Sequence, residues 1–309
     1  MKLNKRHLVL TLTGVLAAAA IAGCGSSSDS LEAKQNTSST AKNSSTIVIG
    51  SQDYYSNEII AEIYAQALEN ADFTVKRDFR IGQREVYVKD IESGAIDLFP
   101  EYTGNFLQYY DKAATATSSD DVYAALKEAL PDGLRVLDQS DASDQDSYNV
   151  TKAFSDENRV TSLADLTNVK GDLKLGGNSE LATRPYGPKG LKSVYGVDVS
   201  FTPIEDSGGA LTLKALKDGD VQLVDLYSAD PKIKANDLVT LDDPEGLFLA
   251  SHVVPVVSKK VTGDMADVIN KVSAELSAAD LVDLDSQSVN DKRSAADIAK
   301  GWLSDHDLK

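Results

Sequence analysis

The sequence predicts an α/β fold in two lobes, and two observations carry that prediction. Short β-branched runs such as Thr46–Gly50 alternate with segments whose apolar residues recur at helical spacing, such as residues 56–70. A helix–Gly–strand unit also occurs twice, about 125 residues apart. Strands that alternate with helices in this way favour mainly parallel sheets covered on both faces.

Each element is assigned from its apolar pattern and its boundary residues. Ser56 has the chemistry of a helix N-cap, and Gly94 follows the apolar stripe of the next helix, where glycine C-caps are common. In chain order, the pattern predicts strands over 46–50, 73–79, 96–99, 134–137, 174–176, 199–204, 221–226 and 252–257, and helices over 56–70, 85–92, 121–130, 162–166, 209–217, 264–278 and 294–306.

The repeated unit spans Ile91–Tyr102 and Leu216–Tyr227. Each copy has a helix end, a Gly, a strand with alternating apolar residues, and a Tyr eight residues after the Gly. Each copy therefore brings a tyrosine just past the carboxyl end of a strand, where open α/β sheets bind ligands. The pattern indicates two similar lobes that share a cleft. Helix–Gly–strand units are common, so a chance match is the alternative.

The composition excludes several classes of function. The chain has 48 acidic and 31 basic residues, and residues 1–23 hold three of the basic ones and no acid, so residues 24–309 carry a net charge of −20. Such a surface repels nucleic acid and anionic membranes. With one cysteine, and only His252 and His306 beyond residue 23, disulfides, metal sites and a Ser-His triad are not expected. No cofactor is expected either.

The first 45 residues have the layout of an export signal followed by a linker. A basic start precedes an apolar run over 8–22, which ends in small residues before Cys24. This segment resembles a lipobox, which implies a signal peptide over 1–23 and lipidation of Cys24. Residues 24–45 are mostly small and polar, which predicts a flexible tether. The alternatives are a buried, inert cysteine and a membrane span, although the run is shorter than the ~20 residues that a span needs.

Tyrosines supply the most distinctive candidate site. The chain has 12 tyrosines, and several follow predicted strands, namely Tyr54, Tyr55, Tyr102, Tyr148 and Tyr227. Any one of them could be a surface residue or lie at the edge of a core. Together they indicate an aromatic pocket whose ring faces attract a cation. A quaternary ammonium suits such a pocket, because it has no N–H groups whose hydrogen bonds to water would be lost.

At Asp97–Asn105 the sequence reads DLFPEYTGN, which resembles a motif of the substrate-binding lipoproteins of osmoprotectant ABC importers. Those proteins bind glycine betaine, choline, carnitine and related compounds. The stretches GSQDY at 50–54, RPYGPKGL at 184–191 and VDLYSAD at 224–230 are similar to other motifs of the family. The resemblance covers about residues 47–303. It implies a two-lobed periplasmic-binding-protein-like (type II) fold with an interlobe cleft and two hinge crossings.

The resemblance also implies which residues bind ligand. Tyr102, Tyr148 and Tyr227 match walls of the family's aromatic cage. Asn57 matches a position that touches the polar end of the ligand, and Asn105 matches one that affects ligand range. The chain departs from the family pattern at Asp146, Tyr186, Leu213 and Ser251–His252.

Two of these departures lead to alternative ligand hypotheses. An anionic Asp146 beside Tyr148 would favour a cation that has no nearby carboxylate, such as choline. His252 could instead donate to a carboxylate, or stack on a flat ring such as that of ergothioneine. The alternatives without a role in ligand binding are that Asp146 caps a loop amide and that His252 faces solvent.

These expectations combine into one prediction of organisation and function. Lobe one would comprise 46–146 and 252–309, lobe two would comprise 147–251, and the hinge would lie near Asp146 and Ser251. The protein would be a monomer anchored outside the cell membrane only by its lipid. It would pass its ligand to an ABC permease driven by a cytoplasmic ATPase, without chemical change. An envelope enzyme and a ligand-presenting sensor are the alternatives, although HExxH and GxSxG motifs are absent.

Overall fold

The structure is a computed structural model that describes residues 45–309, and these residues contain two five-stranded sheets. The predicted signal segment, Cys24 and nearly all of the predicted tether lie outside the described residues. The first sheet has the strand order β2-β1-β3-β10-β4, formed by β1 Ile47–Gly50, β2 Val75–Asp78, β3 Leu98–Tyr102, β4 Arg135–Val136 and β10 Val253–Val257. The second has the order β7-β6-β8-β5-β9, formed by β5 Asp146–Thr151, β6 Leu173–Gly177, β7 Val199–Pro203, β8 Leu223–Tyr227 and β9 Leu238–Thr240.

Helices cover both faces of each sheet, as the sequence predicts. The helices are α1 Tyr55–Asn70, α2 Arg84–Ser93, α3 Thr103–Tyr110, α4 Ser119–Ala129, α5 Lys152–Asn158, α6 Pro188–Tyr195, α7 Ala210–Asp218, α8 Pro231–Ala235, α9 Gly263–Glu275, α10 Ala278–Val289 and α11 Ala295–Asp305. Two short 3₁₀ helices span Leu163–Asn168 and Ser179–Thr183. Among the helices of residues 45–309, none combines the length and the apolar character that crossing a bilayer requires.

The two sheets share one plan, but the expectation of mainly parallel pairing is wrong. In each sheet the first three strands pair in parallel, and the last two join through antiparallel pairs. β5 and β10 are the strands with which the chain passes from one sheet to the other, β5 after β4 and β10 after β9. No helical crossover within one sheet connects them to the strands that they pair with, so their pairing need not be parallel. The pattern of strands and helices cannot reveal this, because β10 follows the whole second sheet in the chain.

The repeated sequence unit occupies equivalent positions in the two sheets. α2 ends at Gly94 and α7 ends at Gly219, both in the left-handed conformation with φ of 74° and 79°. Glycine adopts this conformation without the steric cost of a Cβ atom. The strands that follow are β3 and β8, the central strands of their sheets. Tyr102 and Tyr227 are therefore the last residues of two equivalent strands.

Several elements differ from the sequence assignment. Tyr54, and not Ser56, occupies the N-cap position of α1, without a side-chain capping bond. The helix predicted over 264–278 is α9, which ends at Glu275, because Ser277 forms a capping box with Asp280 and is the N-cap of a separate helix, α10. The helices α3, α5, α6, α8 and α10 and the strands β5 and β9 were not predicted. The lobe boundaries stay a prediction, although Asp146, placed in lobe one, is the first residue of β5 in the second sheet.

Candidate ligand-binding site

A cavity lies between the carboxyl ends of the two central strands. Its walls come from both sheets and from the segment that connects them. The residues that line it include Gln52, Tyr54, Arg84, Tyr102, Asn105, Asp144, Asp146, Arg184, Tyr186, Asp225 and Tyr227.

Three tyrosine rings stack at this cavity. The Tyr54 ring lies 4.7 Å from the Tyr227 ring and 6.5 Å from the Tyr102 ring, measured between centroids, with an interplanar angle of 24° in both pairs. Tyr54 comes from the loop after β1, so the rings belong to both sheets. The sequence places Tyr54 among the tyrosines that follow strands, but does not single it out as a ligand-binding residue. Its position directly after the first strand was the signal that could have selected it.

Tyr148, by contrast, lies in the core of the second sheet and does not line the cavity. Its hydroxyl donates to the carbonyl oxygen of Tyr186 at 2.6 Å, and its ring meets Phe248 edge-on at 5.1 Å. Tyr186 stands in front of it and faces the cavity. The sequence assigned Tyr148 to a loop, but β5 already begins at Asp146, so Tyr148 is buried within a strand.

The two predicted asparagines have different surroundings. Asn57 is fully buried, accepts from the Gln52 backbone N–H at 2.8 Å and donates to the Pro100 carbonyl at 2.9 Å. Its amide lies 3.5 Å from the Tyr102 hydroxyl, so it holds the loop after β1 against the end of β3. The structure therefore gives Asn57 a positioning contact and no place on the cavity wall.

Asn105 lines the cavity and connects α3 to the second sheet. Its amide Nδ2 donates to the Tyr186 hydroxyl at 3.0 Å and to the Asp146 carboxylate. Its Oδ1 accepts from the Ser251 hydroxyl at 2.7 Å. With donor and acceptor both engaged, Asn105 fixes the orientation of the groups around it.

His252 does not line the cavity. Its ring Nδ1 lies 2.9 Å from the Ser140 carbonyl oxygen, and its backbone N–H donates to the Thr103 hydroxyl at 3.0 Å. These contacts tie the residue before β10 to the connecting segment and to the start of α3. The structure thus offers no contact through which His252 would reach a ligand in this cavity.

Three carboxyl groups face the cavity without a basic partner. Within residues 45–309, Asp144, Asp146 and Asp225 form no ion pair, and Asp144 Oδ2 and Asp225 Oδ1 have no hydrogen-bond partner. Burial raises the pKa of Asp144 to about 7. Burial raises the pKa of Asp225 well above its usual range, and the neighbouring Asp146 adds to the effect. A cation would stabilise the ionised form of each group.

The two arginines of the cavity are already paired with acids. Arg84 makes a buried bidentate pair with Glu101 of β3 in the first sheet, at 2.9 and 2.8 Å. Arg184 makes a second bidentate pair with Glu85 of α2, at 2.7 and 3.2 Å. This pair connects a loop of the second sheet to a helix of the first sheet. The carboxyls of Asp144, Asp146 and Asp225 therefore determine the electrostatic character of the cavity. It is suited to a cation.

One neutral donor remains free. The side-chain Nε2 of Gln52 is buried and has no hydrogen-bond partner within the described part of the chain. A buried donor without a partner costs free energy. A polar atom of a ligand could accept from it.

A solved structure shares this fold. A structure described as a glycine betaine/carnitine/choline ABC transporter matches with a TM-score of 0.69 and 20% identity, and the match covers 85% of this chain and 99% of that chain. The fold and the cavity between two similar sheets define the structural class: a two-lobed α/β protein with the type II periplasmic-binding fold.

Sequence comparison identifies the family within that class. Residues 45–305 match the family described as the substrate binding domain of ABC-type glycine betaine transport system, and the chain belongs to that family. The glycine betaine-binding protein YehZ of Escherichia coli K12 is 25% identical over 279 residues, which cover 84% of this chain and 92% of YehZ. The ergothioneine transport permease/binding protein EgtU of Helicobacter pylori G27 is 21% identical over 263 residues, which cover 83% of this chain and 47% of EgtU.

Proposed function

We propose that the cavity captures a quaternary ammonium solute and that the tyrosine rings enclose its cationic head. The observation that carries the proposal is the stack of Tyr54, Tyr102 and Tyr227 beside carboxyls that form no ion pair within residues 45–309. The ligand would then pass unchanged to the permease of the transport system. No chemical step is assigned to the cavity.

The physical basis is replacement of the hydration shell. A methylated ammonium has no N–H donors, so ring faces replace its water contacts without leaving a donor unpaired. A desolvated cation–π contact contributes about 2 kcal/mol or more. The carboxyls of Asp144, Asp146 and Asp225 add a negative field within the same cavity.

The same field favours choline over glycine betaine. A carboxylate close to the methylated nitrogen would be brought near Asp146 and Asp225, whereas the choline hydroxyl carries no charge. The relatives bear the names of glycine betaine, carnitine, choline and ergothioneine, so all four are candidate ligands. Because the His252 ring contacts the Ser140 carbonyl, its proposed stacking on a flat ring has no support from this geometry.

Titration calorimetry with these four compounds tests the proposal. We expect choline to bind most tightly, with glycine betaine at least about tenfold weaker, a difference of about 1.4 kcal/mol. Tetramethylammonium is the control for the cationic head alone, and it should bind measurably. Choline as the weakest of the four would contradict the role of the carboxyls, and no binding of any of them would contradict the proposed function.

The predicted lobes give a mechanism for capture. Lobe one over 46–146 and 252–309 would contribute Tyr54 and Tyr102, and lobe two over 147–251 would contribute Tyr227. A ligand that touches both lobes favours the arrangement in which they approach, because it gains contacts only there.

We further propose that the mature protein is anchored outside the cell membrane through lipidated Cys24, and the motivation is the sequence over 1–24. In bacterial cells that express the full chain, the protein should sediment with membranes, and Cys24→Ser should release most of it. Ser28→Ala is the matched control and should stay in the membrane fraction. Equal sedimentation of Cys24→Ser and the unaltered chain would exclude the anchor.

A further inference from the structure

Two carboxyl groups of the cavity stand side by side on neighbouring strands. Asp146 begins β5 and Asp225 lies in β8, and these strands pair in antiparallel register, with Asp146 opposite Tyr227 and Tyr148 opposite Asp225. The two acids are therefore diagonal neighbours across the pair of strands. Both line the cavity.

Their partners are unequal. Asp146 accepts a hydrogen bond from Asn105 Nδ2, which stabilises its charged form. Asp225 has a buried oxygen, Oδ1, without a partner among residues 45–309. Two adjacent carboxylates in a buried site cannot both ionise at low cost, and one then retains a proton. The hydrogen-bond pattern makes Asp225 the group that retains it.

The other charged and titratable groups around the pair leave this assignment in place. Glu180 of the 3₁₀ helix and Asp144 of the connecting segment are acidic and disfavour a second negative charge. Arg84 and Arg184 are engaged by Glu101 and Glu85. The remaining titratable neighbours are phenols with raised pKa values, namely Tyr148, Tyr186 and Tyr227. The backbone N–H of Ser147 favours ionised Asp225 and is the one opposing contact.

We infer that Asp146 and Asp225 share one proton in the free protein and release it when a cationic ligand enters, so that the pair becomes the counter-ion of the ligand. The proton release on ligand binding, but not the shared proton itself, rests on the proposed function. The step balances: the carboxyl O–H of Asp225 breaks, the proton passes to solvent, and the fixed positive charge of the ligand takes its place. The pair would select ligands whose own charge cannot be lost.

The first test needs no ligand. In protein labelled with ¹³C at the aspartate carboxyls, one carboxyl that lines the cavity should stay protonated at neutral pH. Its signal should disappear in Asp225→Asn and shift in Asp146→Asn. If neither variant alters a carboxyl that is protonated at neutral pH, the shared proton is refuted. Asp198→Asn is the control, because that side chain is 81% exposed and lies outside the cavity.

The second test measures proton release with choline. Calorimetric titration in phosphate and in Tris should give different apparent enthalpies, and log Ka should rise with pH with a slope approaching about one below the pKa of the pair. Asp225→Asn should still bind choline and should lose most of both effects, and only the part that Asp144 contributes should remain. Asp146→Asn offers a second variant if the first does not fold.

Asp144 is the competing proton donor, because its pKa is also raised, to about 7. Proton release that persists in Asp225→Asn and Asp146→Asn but is lost in Asp144→Asn would overturn the assignment to the pair. Choline binding without any proton release would overturn the coupling. If the unaltered protein bound none of the four solutes, the proposed function would fail, and the carboxyl signals would still decide whether the pair shares a proton.

Discussion

Replacing both Tyr102 and Tyr227 by alanine should weaken choline binding about 1,000-fold. The two substitutions remove one ring from each central strand, and each desolvated cation–π contact contributes about 2 kcal/mol. A combined loss of about 4 kcal/mol corresponds to three factors of ten in the dissociation constant. Titration calorimetry on the purified variant measures this directly.

The control for this experiment keeps the rings. Tyr102→Phe with Tyr227→Phe retains both aromatic faces and removes only the hydroxyls. The hydroxyl of Tyr102 lies 3.5 Å from the Asn57 amide and also contacts Tyr54. This variant should bind within about tenfold of the unaltered protein, a difference of about 1.4 kcal/mol. Unchanged affinity in the double alanine variant would mean that the ring faces do not hold the ligand.

The substitution Gly190→Ala should destabilise the protein by about 3 kcal/mol or more, because overpacked sites shift backbone and side chains. A Cβ atom at this position would lie 1.9 Å from the Pro185 carbonyl oxygen and 2.9 Å from Leu247 Cδ1. The backbone oxygen cannot move without displacing the loop that carries Arg184 and Tyr186. We therefore expect a lower urea midpoint together with weaker ligand binding.

Gly263→Ala is the matched control for that substitution. Gly263 is the first residue of α9, and a Cβ atom there would meet nothing within 4 Å. Alanine should leave stability unchanged or raise it by up to about 1 kcal/mol, because it restricts the unfolded chain. Equal urea midpoints for Gly190→Ala and Gly263→Ala would show that the contact with Pro185 is not what requires glycine.

The sequence was most informative where local rules determine geometry. The glycines at 94 and 219 ended helices and fixed the start of the next strand, so the positions of Tyr102 and Tyr227 followed from spacing alone. These two sites needed no knowledge of distant contacts. The same holds for the covering of both sheet faces, which follows from the alternation of elements.

The sequence was least informative where the position depends on long-range pairing. Tyr148 lies in a strand that pairs with β8 and β9, whose residues come more than 70 positions later. Nothing local distinguishes that strand from a loop, so its tyrosine was assigned to the cage. His252 is a similar case, because its partner Ser140 is 112 residues away.

Asp225 and Gln52 were missed for a different reason. Both occur within stretches that resemble family motifs, but each is important because one of its buried polar atoms has no hydrogen-bond partner in the part of the chain that the structure describes. The absence of a partner is a property of the packed structure and has no sequence signature. A residue-type pattern can indicate where a carboxylate occurs, but not whether it is neutralised.

The ion pair between Arg184 and Glu85 makes the attraction between the two sheets sensitive to ionic strength. The Arg184 side chain is 11% exposed, but that of Glu85 is 50% exposed, so dissolved ions reach the pair from one side. Screening shortens the range of such an attraction to about 8 Å at physiological ionic strength and to about 3 Å at 1 M. As ionic strength rises, the Arg184–Glu85 ion pair contributes less to the attraction between the two sheets. A bound solute that contacts both sheets then supplies a larger share of that attraction.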